Sequence, residues 1–207
     1  MKLYGKGNSR SFRCLWAAEE AGLEYDYIEV EFGGEGENGT NGVVYRQLNA
    51  QGKVPTLVDG ELVLTESGAI VNYIATKKPS ARLIPQDGSP ERALYDQLTF
   101  FVLSDLEQAL WTNGKHRFAI PEEYRVSQVL ETTKWEFDKS QKALMELIGA
   151  SPVYALGDGF TMADVLIAHT FSWAERFEFE LLDGFKEYKD RMYARSACQA
   201  AMLKLKS

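Results

Sequence analysis

Residues 54–70 read Val54-Pro55-Thr56-Leu57-Val58-Asp59-Gly60-Glu61-Leu62-Val63-Leu64-Thr65-Glu66-Ser67-Gly68-Ala69-Ile70. Two apolar runs, 56–58 and 62–64, flank Asp59, Gly60 and Glu61. Asp-Gly between apolar runs is a strong short-range hairpin signal, because a tight hairpin turn needs the positive φ that glycine supplies. Behind the second run, Ala69, Ile70, Tyr73 and Ile74 form a helical stripe, with Ser67 as its expected N-cap. The stretch therefore predicts a hairpin followed by a helix. A proline that opens a strand brings no N–H to the ladder. If the bond from Val54 to Pro55 is cis, the chain turns sharply and the polar groups of Val54 face outward, free for a ligand.

Upstream, Lys2-Leu3-Tyr4 is a short strand candidate. Phe12, Leu15, Trp16 and Glu19 share one helix side and Gly22 follows as a stop, which predicts a helix over 10–21. Tyr25, Tyr27 and Ile28-Glu29-Val30-Glu31-Phe32 predict a second strand, and a Gly-rich flexible loop covers 33–42. The order is strand, helix, strand, an irregular stretch, a hairpin and a helix, which is the thioredoxin-like order. Downstream, residues 79–91 hold three prolines, Pro79, Pro85 and Pro90, and the linker is set at 80–91. Beyond it strand signals are scarce. Residues 92–112 and 122–149 predict amphipathic helices and a third begins near Thr161, with Thr161 as N-cap and Asp164 three residues on as a capping box. The fold class is thus an α/β thioredoxin-like domain over 1–79 and an all-α domain over 92–207. His169, on the third helix, is read as a core histidine.

Composition narrows the chemistry. The 207 residues carry 23 Lys and Arg against 30 Asp and Glu, a net charge of −7. Such a chain is a poor general partner for phosphate backbones. Apolar residues reach 45%, which argues for a packed core over disorder. The first residues lack the apolar core of a secretory signal, no apolar run is long enough to span a bilayer, and Cys14 and Cys198 form no C-x-x-C. A cytosolic location and no metal site are expected.

Gly34-Glu35-Gly36-Glu37-Asn38-Gly39 matches the G-x-G-x-x-G dinucleotide pattern. No amphipathic helix begins at its end, and Glu35 and Glu37 would repel a pyrophosphate, so it is read as a loop. A different ligand suits the segment around Pro55. Unpaired N–H groups and the positive dipole end of the helix at Ser67 favour a carboxylate. Glu66 offers a charge for an ammonium and Lys53 for a second carboxylate. Val54 and Pro55 offer backbone to an extended peptide. Together they complement a small zwitterionic peptide.

Gln51-Gly52-Lys53-Val54-Pro55-Thr56-Leu57 and Thr65-Glu66-Ser67-Gly68-Ala69-Ile70 resemble the glutathione-binding core of the cytosolic glutathione S-transferases. So does Ser9-Arg10-Ser11-Phe12-Arg13-Cys14-Leu15-Trp16 ahead of Glu19-Glu20-Ala21-Gly22-Leu23, and Phe160-Thr161-Met162-Ala163-Asp164 resembles the helical-domain signature. The resemblance covers nearly the whole chain. It implies glutathione as cosubstrate with no permanently bound cofactor, a homodimer, and conjugation of small electrophiles or reduction of hydroperoxides. The rival expectation is a non-catalytic binding or assembly module of the same fold.

The reaction needs the thiol as thiolate, and a hydroxyl donor at a helix start favours that form. Ser9, Asn8 and Ser11, in that order, are the candidates, which resembles the serine-type branch; Tyr4 is the tyrosine-type alternative. Ser9 is expected as the N-cap, with Ser11 rotated away from it inside the first turn. Cys14 is expected to be structural, with thiol–disulfide exchange as a third reading. Phe101, Trp111, Phe118 and Tyr124 are candidate walls for the second substrate in the all-α domain. The resemblance implies that Asp105 meets the ligand's ammonium across a dimer interface.

Overall fold

The Asp-Gly signal makes its hairpin, and the sheet is built around it. The computed structural model describes residues 1–157 and 159–205. Its contacts divide into two units, 1–84 with 193–207, and 85–192. In the first, the chain lays down β1 (Lys2–Gly5), α1 (Ser11–Ala21), β2 (Asp26–Glu29), α2 (Val43–Leu48), β3 (Thr56–Asp59), β4 (Leu62–Thr65) and α3 (Ser67–Thr76). β1 pairs parallel with β2 and antiparallel with β3, and β3 pairs antiparallel with β4, giving the order β2-β1-β3-β4. A parallel pair needs a crossover, and α1 supplies it. Gly22 ends that helix in the left-handed conformation at φ 61°. Phe12, Leu15 and Trp16 on α1 and Ile70, Val71 and Ile74 on α3 are all buried, and the two helices pack together. The thioredoxin-like expectation holds.

Residues 33–42 depart from the expected flexible loop. Glu31 bridges to Gly39, and the Thr40 hydroxyl accepts the N–H of Gly33 at 2.8 Å. A Cβ on Gly39 would lie 2.2 Å from the Gly34 carbonyl oxygen, and one on Gly42 2.0 Å from that of Gly36. These glycines serve close backbone approach. The loop runs directly into α2, a helix too short to leave a readable period.

In the second unit, α4 (Pro90–Phe101) begins at Ser89, whose hydroxyl accepts the N–H of Arg92 at 3.1 Å. It continues through a π-helical turn at Val102–Leu106 into α5 (Glu107–Gly114) and a second such turn at Lys115–Ala119. The single helix expected over 92–112 is thus a longer rod with two widened turns. α6 (Val129–Ile148) starts later than the expected 122, because 122–124 forms a separate 3₁₀ turn. α7 (Met162–Arg176) is buried along nearly its whole length, His169 included, and α8 (Asp183–Tyr193) follows.

The capping box at the start of α7 is present. The Asp164 carboxylate accepts the N–H of Thr161 at 2.7 Å, the N–H of Ala155 at 2.8 Å, the hydroxyl of Tyr188 at 2.6 Å and that of Thr161 at 3.2 Å. Burial pushes this carboxyl above the usual carboxylate range, and the four donors pull against that shift.

Among the described residues, the stretch expected to be all-α over 92–207 carries its last helix as far as Lys204. However, Tyr193 and the last helix, α9 (Ser196–Lys204), group with the first unit. α9 packs on α1. The Tyr193 ring lies 6.1 Å from Phe12 and 5.4 Å from Trp16. Arg195 donates through Nε at 2.6 Å and Nη2 at 2.8 Å to the Glu20 carboxylate, a two-pronged ion pair, and the indole N–H of Trp16 joins it at 3.0 Å.

Candidate active site

Strand direction gathers the candidate residues of the first unit. Tyr4 lies opposite Thr56, and Thr56 opposite Thr65. The chain leaving β1, the chain entering β3 and the chain leaving β4 therefore share one end of the sheet. Asn8, Ser9 and Ser11 follow β1, Lys53, Val54 and Pro55 precede β3, and Glu66 and Ser67 follow β4.

At the start of α1, Arg10 already has helical angles, φ −55° and ψ −16°. The residue before α1 is Arg10 and not the expected Ser9, which lies one position further out with its Oγ accepting the N–H of Ser11 at 3.3 Å. Asn8 is exposed and Ser9 half-buried, while Ser11 is buried. The expected rotation of Ser11 away from Ser9 does not occur. Ser9 stands outside the helix, so the helical turn per residue does not apply between them, and the two Oγ atoms lie 3.0 Å apart. Gly5 makes room for this: a Cβ there would lie 2.5 Å from the Ser11 Cβ.

Before β3, the Val54-Pro55 bond is cis. Val54 is half-buried, and among the described residues its N–H and C=O pair with no other backbone group. The neighbouring carbonyl of Lys53 is held hard, accepting from Tyr45 Oη at 2.6 Å and Asn49 Nδ2 at 2.8 Å. Both side chains also reach the Thr56 hydroxyl. Tyr45 lies on α2 and Asn49 just past it, so this short helix fixes the shape of the segment. Gly52 takes φ 61°, and a Cβ there would lie 2.5 Å from the Thr40 carbonyl. The Lys53 ammonium is exposed and forms no ion pair among the described residues.

After β4, Glu66 and not Ser67 occupies the position before the helix. Glu66 is exposed and held at φ 67°, ψ 116°, and its side chain caps nothing. A non-glycine residue at such a φ is strained, by about 1–3 kcal/mol. Ser67 is the first residue of α3 and 3% exposed. Its Oγ accepts from Arg13 Nη1 at 3.2 Å, and Arg13 is fully buried. A guanidinium thus sits beneath the N-terminus of α3, adding to the positive end of the helix dipole. Tyr45, Asn49 and Arg13 escape sequence reading; a buried i, i+4 polar pair on a short helix is the only local trace of the first two.

The other candidates separate from this group. Tyr4 lies within β1 with its ring 6.0 Å from Tyr45. Cys14 is 1% exposed, and burial pushes its thiol well above the ordinary range, which opposes thiol–disulfide exchange. In the second unit, Asp105 sits exposed on the first π-helical turn and accepts from the Ser104 hydroxyl at 2.6 Å. With Phe101, Trp135 and Lys139 it lines a groove of about 260 Å³. Phe118 packs edge-on against Phe177, and Tyr124 is exposed. Among the described residues, no group of three or more His, Cys, Asp or Glu is placed to hold a metal, and no helix is long and apolar enough to cross a membrane.

Known proteins resemble this chain along nearly its whole length. A family model described as the glutathione S-transferase N-terminal domain matches residues 1–76, and one described as the glutathione S-transferase C-terminal domain matches residues 108–195. Glutathione S-transferase 1 of Dianthus caryophyllus is 31% identical over 198 residues, covering 90% of this chain and 87% of the relative. The theta class glutathione S-transferase of Xanthomonas axonopodis pv. citri, solved with glutathione bound, is 32% identical with a TM-score of 0.77, covering 98% of this chain and 96% of the other. A ternary complex of BphK, a bacterial glutathione S-transferase, superposes with a TM-score of 0.87 at 25% identity over the full length of both chains.

Proposed function

Because the chain belongs to the glutathione S-transferase family of enzymes, we propose that it binds reduced glutathione across the shared end of β1, β3 and β4 and activates its thiol through Ser9. The N-terminus of α3, with Ser67 and the buried Arg13 behind it, receives one carboxylate. Glu66 receives the ammonium, Lys53 the second carboxylate, and the unpaired main chain of Val54 beside Pro55 the peptide backbone. The observation that carries this reading is Glu66. Its side chain is exposed and caps nothing in the fold while its backbone is held at φ 67°, and strain of this kind is kept where a ligand uses it.

A free thiol titrates near pH 8.5, about 1.5 units above neutrality, so most of it is protonated there. Ser9 donates its hydroxyl hydrogen to the sulfur and favours the thiolate, at the positive end of α1. The thiolate attacks a small electrophile, forming the sulfur–carbon bond as the electron pair moves onto the leaving or accepting group. Hydroperoxides are the second substrate class. The all-α domain over 92–207 supplies the second-substrate site, with Phe101 among its walls. A homodimer fits the exposed Leu94 and Phe100 on α4, at 55% and 70% exposure, and Asp105 then serves the partner's ligand ammonium. Two buried free cysteines fit a cytoplasmic location.

Calorimetry with reduced glutathione and turnover of a generic electrophile test the reading together. Saturable binding with turnover is expected. Binding without turnover identifies a non-catalytic module, and no heat at millimolar glutathione refutes the site itself.

A further inference from the structure

We propose that Ser11 is a positioning residue: its buried hydroxyl fixes the direction of the Ser9 hydroxyl hydrogen and leaves that hydrogen pointing outward for the glutathione sulfur. The inference rests on Ser9 being the thiol's donor. It follows from counting donors and acceptors. A serine hydroxyl has one hydrogen to give and two lone pairs to fill. Ser11 is 2% exposed, so solvent does not take its hydrogen. Its Oγ accepts the N–H of Lys6 at 3.3 Å. Among the described residues, its one other hydrogen-bond neighbour is the Ser9 Oγ at 3.0 Å. Were Ser9 the donor between them, the Ser11 hydrogen would be buried without an acceptor, which is costly. Ser11 therefore donates to Ser9.

Ser9 is then committed. Its Oγ takes the Ser11 hydroxyl hydrogen and also the Ser11 N–H at 3.3 Å. Both lone-pair directions are filled by one residue, and its own hydrogen has no acceptor inside. A hydroxyl that accepts two hydrogen bonds is also a stronger donor, since linked hydrogen bonds polarise one another. Ser11 is held for this task on two sides. A Cβ on Gly5 would lie 2.8 Å from the Ser11 Oγ and 2.9 Å from the Tyr27 ring, so the backbone of Gly5 is wedged between them. The chain from Lys6 N–H through Ser11 to Ser9 runs one way, from the backbone to the solvent side.

The experiment titrates bound glutathione by thiolate absorbance in Ser11→Ala, Ser9→Ala and the double variant, with kcat and KM measured beside it. Ser11→Ala is expected to raise the pKa of the bound thiol by about half a unit to one unit, the contribution of one hydrogen bond. It should lower kcat while leaving the KM for glutathione unchanged, which a general loosening of the fold would not do. In the Ser9→Ala background, removing Ser11 should add no further shift. A wild-type thiol pKa in Ser11→Ala overturns the proposal, and so does a shift of full size in the Ser9→Ala background. Ser9→Ala with a wild-type thiol pKa is a separate failure, that of Ser9 as donor. Ser11→Gly, which relieves crowding at Gly5, makes the same test if the alanine variant does not fold.

Discussion

α7 and α3 begin in opposite ways. Behind Thr161, the first turn of α7 is closed by Asp164, a buried carboxylate that collects four hydrogen bonds from its own chain. Behind Glu66, the first turn of α3 stays open: the carboxylate is exposed, caps nothing, and hangs on a backbone held at φ 67°. Every helix start leaves N–H groups without partners inside the helix. Where the fold supplies the partner, the start contributes stability. At α3 the fold supplies positive charge instead, with Arg13 beneath Ser67, and such a start favours an anion.

The largest effect that tests this contrast belongs to the closed end. Asp164→Ala strips the acceptor from the Tyr188 hydroxyl and from the N–H groups of Ala155 and Thr161. Denaturant unfolding should show a loss of about 3 kcal/mol or more, at 1–3 kcal/mol for each buried donor left unpaired. Glutathione affinity per folded molecule should stay at wild type. A wild-type midpoint would mean that the carboxylate is not carrying the network.

At the open end the outcome should reverse. Glu66→Ala should weaken glutathione binding about tenfold to a hundredfold, the scale of a charged hydrogen bond, with little change in the unfolding midpoint. Glu66→Gly should lose the same affinity yet gain about 1 kcal/mol of stability, since glycine accepts the positive φ without strain. Calorimetry and denaturation on the two variants separate ligand contact from backbone strain. The smallest effect is at Lys53, a long exposed cation. Lys53→Ala should cost about twofold to fivefold in affinity, shrinking further at high salt.

What was legible in the sequence was local. Asp59-Gly60 announced the hairpin, Gly22 the end of α1, and Thr161 with Asp164 the closed start of α7, because each signal and its consequence lie within a few residues. Ser67 does not serve as the expected N-cap, for the complementary reason. Its hydroxyl is engaged by Arg13, 54 positions away, and the residue before the helix is decided by the backbone of Glu66. The pairing of Ser9 with Ser11 is not legible from helical spacing, because Ser9 stands two positions before the first residue of α1. Glycines in 33–42 read as slack, whereas Gly39 and Gly42 are there so that carbonyls can approach. α2 has six residues, fewer than two turns, so Tyr45 and Asn49 could not declare which face they serve.

The return of the chain end to α1 has a consequence for how the protein is made. Translation delivers residues at about 5–20 per second. The sheet, α1 and α3 leave the ribosome well before Tyr193, Arg195 and α9, which complete their half of the molecule. For several seconds Phe12 and Trp16 lack the Tyr193 ring, and Glu20 lacks its arginine. The unit built around residues 1–84 is therefore started first, yet its packing waits for Tyr193, Arg195 and α9. A nascent chain stalled before Tyr193 would present an apolar flank of α1 to the chaperones waiting at the tunnel exit.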